Sequence, residues 1–131
     1  MGRTLAKLGD IPDAIVSSPA ARAKQTAEGA ARGMKFGGAM LLERALYDAP
    51  GEAWLTALQA LPASVDSALV VAHSPGVDEA AALLAGAAAD AFDVPTGALI
   101  AFTAPIERWS DLEAGTAALR WFLRPKLVER L

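Results

Sequence analysis

The chain holds a single histidine, His73, and its neighbours give it a chemical setting. It follows the run Ala68-Leu69-Val70-Val71-Ala72 and precedes Ser74-Pro75-Gly76. Five consecutive small or branched apolar residues are too few for a helix and fit a strand covered on both faces. Ser74 with Pro75 reads as a helix start, the hydroxyl as N-cap and the proline at the first helical position, where no N–H is needed. An imidazole at the carboxyl end of a buried strand, beside a helix N-terminus, lies where open α/β sheets bind anions. The bland alternative is a lone histidine in a structural turn. A second site of the same form shifts the balance: Ala14-Ile15-Val16-Ser17 reads as a short buried strand and runs into Ser18-Pro19. Arg22 then falls in the first turn of the next helix, where a cation opposes the helix dipole. Held there, it suits an anion; as a solvated surface arginine it would cost a few tenths of a kcal/mol, and the residue alone leaves the two readings even.

The elements that must position these residues follow in order. The first residues, Met1 to Asp10, look like the last turns of a helix, with Leu5 and Leu8 on one face and Gly9 as its stop. A helix is expected from about Pro19 to Ala31, ending at Gly33. Met40-Leu41-Leu42 is a short strand or a packed connector, and Glu43 to Asp48 is irregular chain. From Gly51 to Leu61 the spacing of Trp54, Leu55, Leu58 and Leu61 makes the core face of a helix. An alanine-rich helix runs from Pro75 to about Gly86, strands are expected over 98–103 and 116–123, and Trp109 and Leu112 lie in the connector between them. Strand then helix, at least twice, followed by a late strand pair, gives an α/β sheet in one domain over residues 1–131.

Composition narrows the functions. With 131 residues, 53% hydrophobic and 21% charged, the chain suits one soluble domain. A net charge of -3 and a pI near 5.1 argue against a general nucleic-acid surface, so any anion site must be local. Zero cysteines and one histidine exclude disulfides, thiolate catalysis and Cys- or His-rich metal sites. No metal or cofactor is expected, and a cytoplasmic location fits best. The longest apolar run, Ala80 to Ala89, is half of the roughly 20 residues that cross a bilayer.

Ser18-Pro19-Ala20-Ala21-Arg22-Ala23-Lys24-Gln25-Thr26 resembles the Ser-Pro-x-x-Arg-Ala-x-Gln-Thr segment of the histidine phosphatase superfamily, the phosphoglycerate mutase-like fold. Ala72-His73-Ser74-Pro75-Gly76 is similar to that family's second histidine motif. Pro95-Thr96-Gly97-Ala98 and the stretch from Gly115 to Pro125 resemble the small SixA-type phosphohistidine phosphatases. In that family a histidine attacks phosphorus while two arginines and a second histidine hold the phosphate oxygens. The resemblance makes Arg22 the second clamping arginine and His73 the second histidine, catalytic and substrate-binding alike. Phosphoryl transfer needs such fixed positive charge and N–H donors around the equatorial oxygens. Glu43 falls where larger members place the carboxylate that protonates the leaving group, so it is a candidate general acid, with a structural role as the preferred reading, and the fold that the resemblance implies is a three-layer, mostly parallel sheet flanked by helices.

The chain departs from the family at its opening, which there is a strand ending in Arg-His-Gly that supplies the nucleophile and lies beside the strand of the second histidine. Neither the motif nor a second histidine is present. The expectation is an N-terminally incomplete domain, through a misassigned start, a truncation or decay, with the first central strand absent and little or no turnover. Its substrate would be a phosphorylated protein or a small phosphorylated compound, and the compact length weakly favours protein. The alternatives are a non-catalytic phosphate or phosphoprotein binding module and a nonfunctional fragment. An apolar strand at 68–72 without its neighbour is an edge that seeks a partner: strand 98–103 slides in, a second chain donates backbone, or the domain stays loose. Self-association is expected.

Overall fold

A computed structural model of the protein describes residues 2–9, 11–73, 76–88 and 90–124. Helix α1 spans Gly2–Leu8, strand β1 Ala14–Ser17, α2 Ala21–Met34, β2 Ala39–Leu42, α3 Gly51–Gln59, β3 Ala68–Val71, α4 Gly76–Ala85, β4 Leu99–Thr103 and β5 Ala118–Leu123. Single turns of 3-10 helix at Arg44–Leu46 and Trp109–Asp111 interrupt the longer connections. The three parallel strands lie in the order β2-β1-β3, and β4 and β5 form a separate antiparallel pair. The α/β architecture expected from the sequence is therefore present, with helices covering the parallel sheet.

β1 organises it. All four of its residues are buried, and alternation sends Ile15 into a cluster with Leu5, Ala27 and Met34, and Val16 into one with Leu46, Trp54 and Ala80. The two clusters are the two interlayer cores. α3 and α4 approach closely where glycine permits it: a Cβ on Gly51 would stand 2.8 Å from the Ala80 backbone nitrogen. Trp54 and Leu58 are buried as the spacing predicts, and helix α3 ends at Gln59, just short of Pro62.

Several boundaries moved, each for a local reason. α2 starts at Ala21 rather than Pro19, because the Ser18 hydroxyl accepts from the Ala20 N–H at 3.2 Å in a turn that precedes the helix. It continues through Gly33 to Met34, and the left-handed residue that ends it is Lys35 (φ 54°), with the Phe36 N–H returning to the Ala31 carbonyl. Leu8 does not share the buried face of Leu5 and is half exposed. β5 starts at Ala118, because Gly115 and Ala117 donate instead to the Leu83 and Leu84 carbonyls at the end of α4.

The largest difference concerns β3, which is half-buried rather than covered. One edge pairs with β1, but among the described residues nothing pairs with the other, and β4 has not slid in to do so. A cavity of about 680 Å³ lies between them, lined by Ala68, Leu69 and Val70 on one side and Leu99, Ile100 and Phe102 on the other.

The α3–α4 contact gives a first test. Replacing Gly51 by valine should force the helices apart and cost about 1–3 kcal/mol, read as a lower urea midpoint at unchanged m-value. A midpoint within error of the parent would mean that the contact is not tightly packed.

Candidate active site

The parallel register determines what meets at the carboxyl edge of the sheet. Ser17 pairs with Leu42 on one side and Val71 on the other. The ladder then runs one step further: the Ser18 N–H donates to the Val71 carbonyl at 2.9 Å, and the Glu43 N–H to the Ser17 carbonyl at 2.8 Å. Ser18, Glu43 and the segment entering His73 therefore leave the sheet at one level. Ser17 and Ser18 are buried, and the Ser17 hydroxyl donates to the Ser18 carbonyl, so the turn from β1 toward α2 is internally satisfied.

His73 is exposed and lines a cleft of about 420 Å³ together with Ser18, Tyr47, Asp48, Gly76 and Glu79. Its carbonyl accepts a long 3.4 Å bond from the Val77 N–H, which ties it to the first turn of α4. Ser74 and Pro75, the expected N-cap and first helical residue, lie outside the described residues. Gly76 opens α4 in a crowded place, where a Cβ would meet the Ala49 carbonyl oxygen at 2.5 Å and Trp54 Nε1 at 2.9 Å. Among the described residues that buried indole N–H has no hydrogen-bond partner, and the 49–54 segment packs closely against the start of α4.

The other expected residues are placed differently. Arg22 is exposed in the first turn of α2 and is not among the residues lining the cleft, although α2 starts at the same edge of the sheet. Glu43 is half-buried and turned to its own backbone: its Oε1 accepts from the Ala45 N–H at 3.1 Å and caps the turn at Arg44–Leu46.

Tyr47, Asp48 and Glu79 were not singled out in the sequence. Tyr47 is 62% exposed, and Asp48 holds a left-handed backbone (φ 48°), a conformation in which Asp is over-represented among non-glycine residues. Glu79 could have been found, since it lies one and a half turns past His73 in a helix whose first turn is acidic and so complements the dipole. The cleft thus combines one imidazole, two hydroxyls and two carboxylates. It can hold an anion through the imidazole, the Ser18 hydroxyl and the N-terminal end of α4, and its acidic rim suits a group that also carries positive charge.

No family model matches the sequence, and no curated protein matches it. Solved structures do. The protein named as a phosphohistidine phosphatase SixA from Agrobacterium tumefaciens superposes with a TM-score of 0.77 at 26% identity, covering 95% of this chain and 75% of its own. Its namesake from Nakamurella multipartitia gives 0.73 at 20% identity, covering 95% and 79%. The chain has a SixA-type histidine phosphatase fold. Within that fold the three parallel strands match the phosphoglycerate mutase-like arrangement. No helix among the described residues is long and apolar enough to cross a membrane.

Glu43 as a cap is directly testable. Glu43→Ala should lower stability by about 0.5–2 kcal/mol while leaving phosphate affinity unchanged, whereas a loss of affinity at unchanged stability would move Glu43 into the site.

Proposed function

We propose that this protein is a histidine phosphatase-type domain that holds the phosphoryl group of a phosphorylated protein, and that residues 1–131 by themselves bind such a group without turning it over. The observation that carries this reading is the position of His73, at the end of a parallel strand and in a cleft, in a chain whose fold matches SixA proteins over 95% of its length. His73 would stabilise the equatorial oxygens by a charge-assisted hydrogen bond. Arg22, one helix away at the same edge, would reach the phosphoryl group only once a ligand draws its long side chain inward. The Tyr47 ring beside the cleft offers a surface for a protein substrate.

Turnover by the family's covalent route needs a histidine to attack phosphorus and another to hold it, and this chain has one. Loss of a nucleophile costs on the order of 10⁶ in turnover in subtilisin. The reading therefore favours binding over hydrolysis for these residues.

Titration calorimetry with orthovanadate, followed by p-nitrophenyl phosphate assays, tests this directly. Binding should be weak and saturable, and His73→Ala and Arg22→Ala should each weaken it roughly 10- to 100-fold, the equivalent of one hydrogen bond to a charged group. Hydrolysis should stay at background. Hydrolysis abolished by His73→Ala, with phosphate trapped on His73, would overturn the binding-only reading; no vanadate binding would overturn the phosphate site itself.

A further inference from the structure

Apart from its imidazole, the cleft at His73 is charged in one sense only. Asp48 and Glu79 line it, and among the described residues no lysine or arginine does. Arg22 and Arg44, on the elements that follow β1 and β2, are exposed and outside the lining. Neither carboxylate has an ion-pair partner among the described residues. The helix dipole does not account for the two of them. Asp78 and Glu79 both complement the start of α4, yet only Glu79 lines the cleft, and Asp48 belongs to no helix.

Two close approaches put the carboxylates on one wall. A Cβ on Gly76 would meet the Ala49 carbonyl oxygen at 2.5 Å, and one on Gly51 would meet the Glu79 Cβ at 2.9 Å. The chain just after Asp48 therefore lies along the first turn of α4, beside Glu79. Tyr47, 62% exposed, continues the same segment at the rim of the cleft. A volume of about 420 Å³ is within the range of clefts that enclose drug-sized ligands, far larger than one phosphate ion. Two unpaired carboxylates beside an anion site repel a bare dianion and favour a ligand that carries its own cation.

We propose that the cleft takes a segment of a phosphorylated protein in which the phosphorylated residue stands directly beside a lysine or arginine. The phosphoryl group sits at His73 and Ser18, as in the phosphate reading on which this assignment rests, and the neighbouring cation is held by Asp48 and Glu79 with the Tyr47 ring beside it. A peptide suits the cleft better than a compact zwitterion, because the aromatic surface stands exposed at the rim, where a chain continuing out of the cleft would lie across it. Each exposed ion pair is worth at most about fivefold in affinity. The two carboxylates acting together are expected to give about tenfold, with neither decisive alone.

The probes are three phosphopeptides, Gly-Lys-phosphoserine-Lys-Gly and its counterparts with both lysines replaced by glutamine or by glutamate, titrated into the full chain by calorimetry at low ionic strength. Orthovanadate, phosphoethanolamine and the unphosphorylated lysine peptide are titrated alongside. The lysine phosphopeptide should bind about tenfold more tightly than the glutamine one, the glutamate one more weakly still, and added salt should compress the difference. Combining Asp48→Asn with Glu79→Gln should erase the preference and at the same time tighten orthovanadate binding, since the repulsion is removed. Opposite changes in the two ligands cannot come from a loss of folding. Equal binding of the three phosphopeptides would overturn the proposal, as would a preference that survives the double substitution. Phosphoethanolamine binding as tightly as the lysine phosphopeptide would assign the cleft to a small zwitterion instead, and equal binding of the unphosphorylated peptide would make it a cation site. In each of these cases orthovanadate binding leaves the phosphate reading standing, whereas its absence overturns both.

Discussion

The buried backbone of β1 is the constraint from which the rest follows. Four residues with no access to water must have every N–H and C=O paired, and the pairing comes from β2 on one side and β3 on the other. Both partners run parallel to β1 and both are held in register along its whole length. A slip of one residue would turn Ile15 and Val16 out of their separate cores and exchange the faces of the sheet. Because register is thus determined by packing, the points at which the three chains leave the sheet are determined too. The cleft is built at that level, so its geometry derives from the core rather than from interactions among the cleft residues themselves.

Its electrostatics are mixed. An acidic chain that is to hold an anion has to do so with a few directed donors, and the cleft supplies an imidazole, a hydroxyl and a helix terminus while placing Asp48 and Glu79 close by. The carboxylates oppose a bare phosphate more than a phosphoryl group borne on a cationic neighbour. Selectivity of this kind depends on repulsion as much as on attraction.

The residues carried very different amounts of this information. β1 and the core face of α3 were readable because a run of apolar residues or a helical period admits one interpretation. The place of His73 at the end of a strand was legible because strand, histidine and turn occur together, and the structure puts it on a cleft. Arg22 by its place in the helix left an anion-binding and a surface reading even, the resemblance alone gave it a role, and the cleft lining leaves it outside. The end of α2 was missed because Lys35 takes a conformation usually assigned to glycine, so the signal at Gly33 misled. Covering β3 on both sides could not be judged from its own sequence. Whether an apolar strand is central or bounds a cavity depends on what lies beside it, and residues 68–72 read the same in either case. Asp48 and Tyr47 were beyond reach for a similar reason: they belong to irregular chain, whose course follows from the elements at its ends.

One small clasp at the opposite end of the sheet bears on how the molecule assembles. Asp13 Oδ2 accepts from the Asp66 N–H at 2.8 Å and the Ser67 N–H at 3.2 Å, while the Asp13 N–H returns to the Ser67 carbonyl at 2.9 Å, joining residues more than 50 apart in sequence. Parallel strands cannot meet through a tight turn, and these cannot meet until the intervening chain has been drawn into a loop. Closing that loop is an entropic cost met before any β1–β3 bond can form, and such distant pairings slow folding. α3 and its neighbouring turn can form on local contacts alone. On sequence separation alone the β1–β3 seam, and with it the cleft, would form after these local contacts, and the clasp is where that seam could first be pinned.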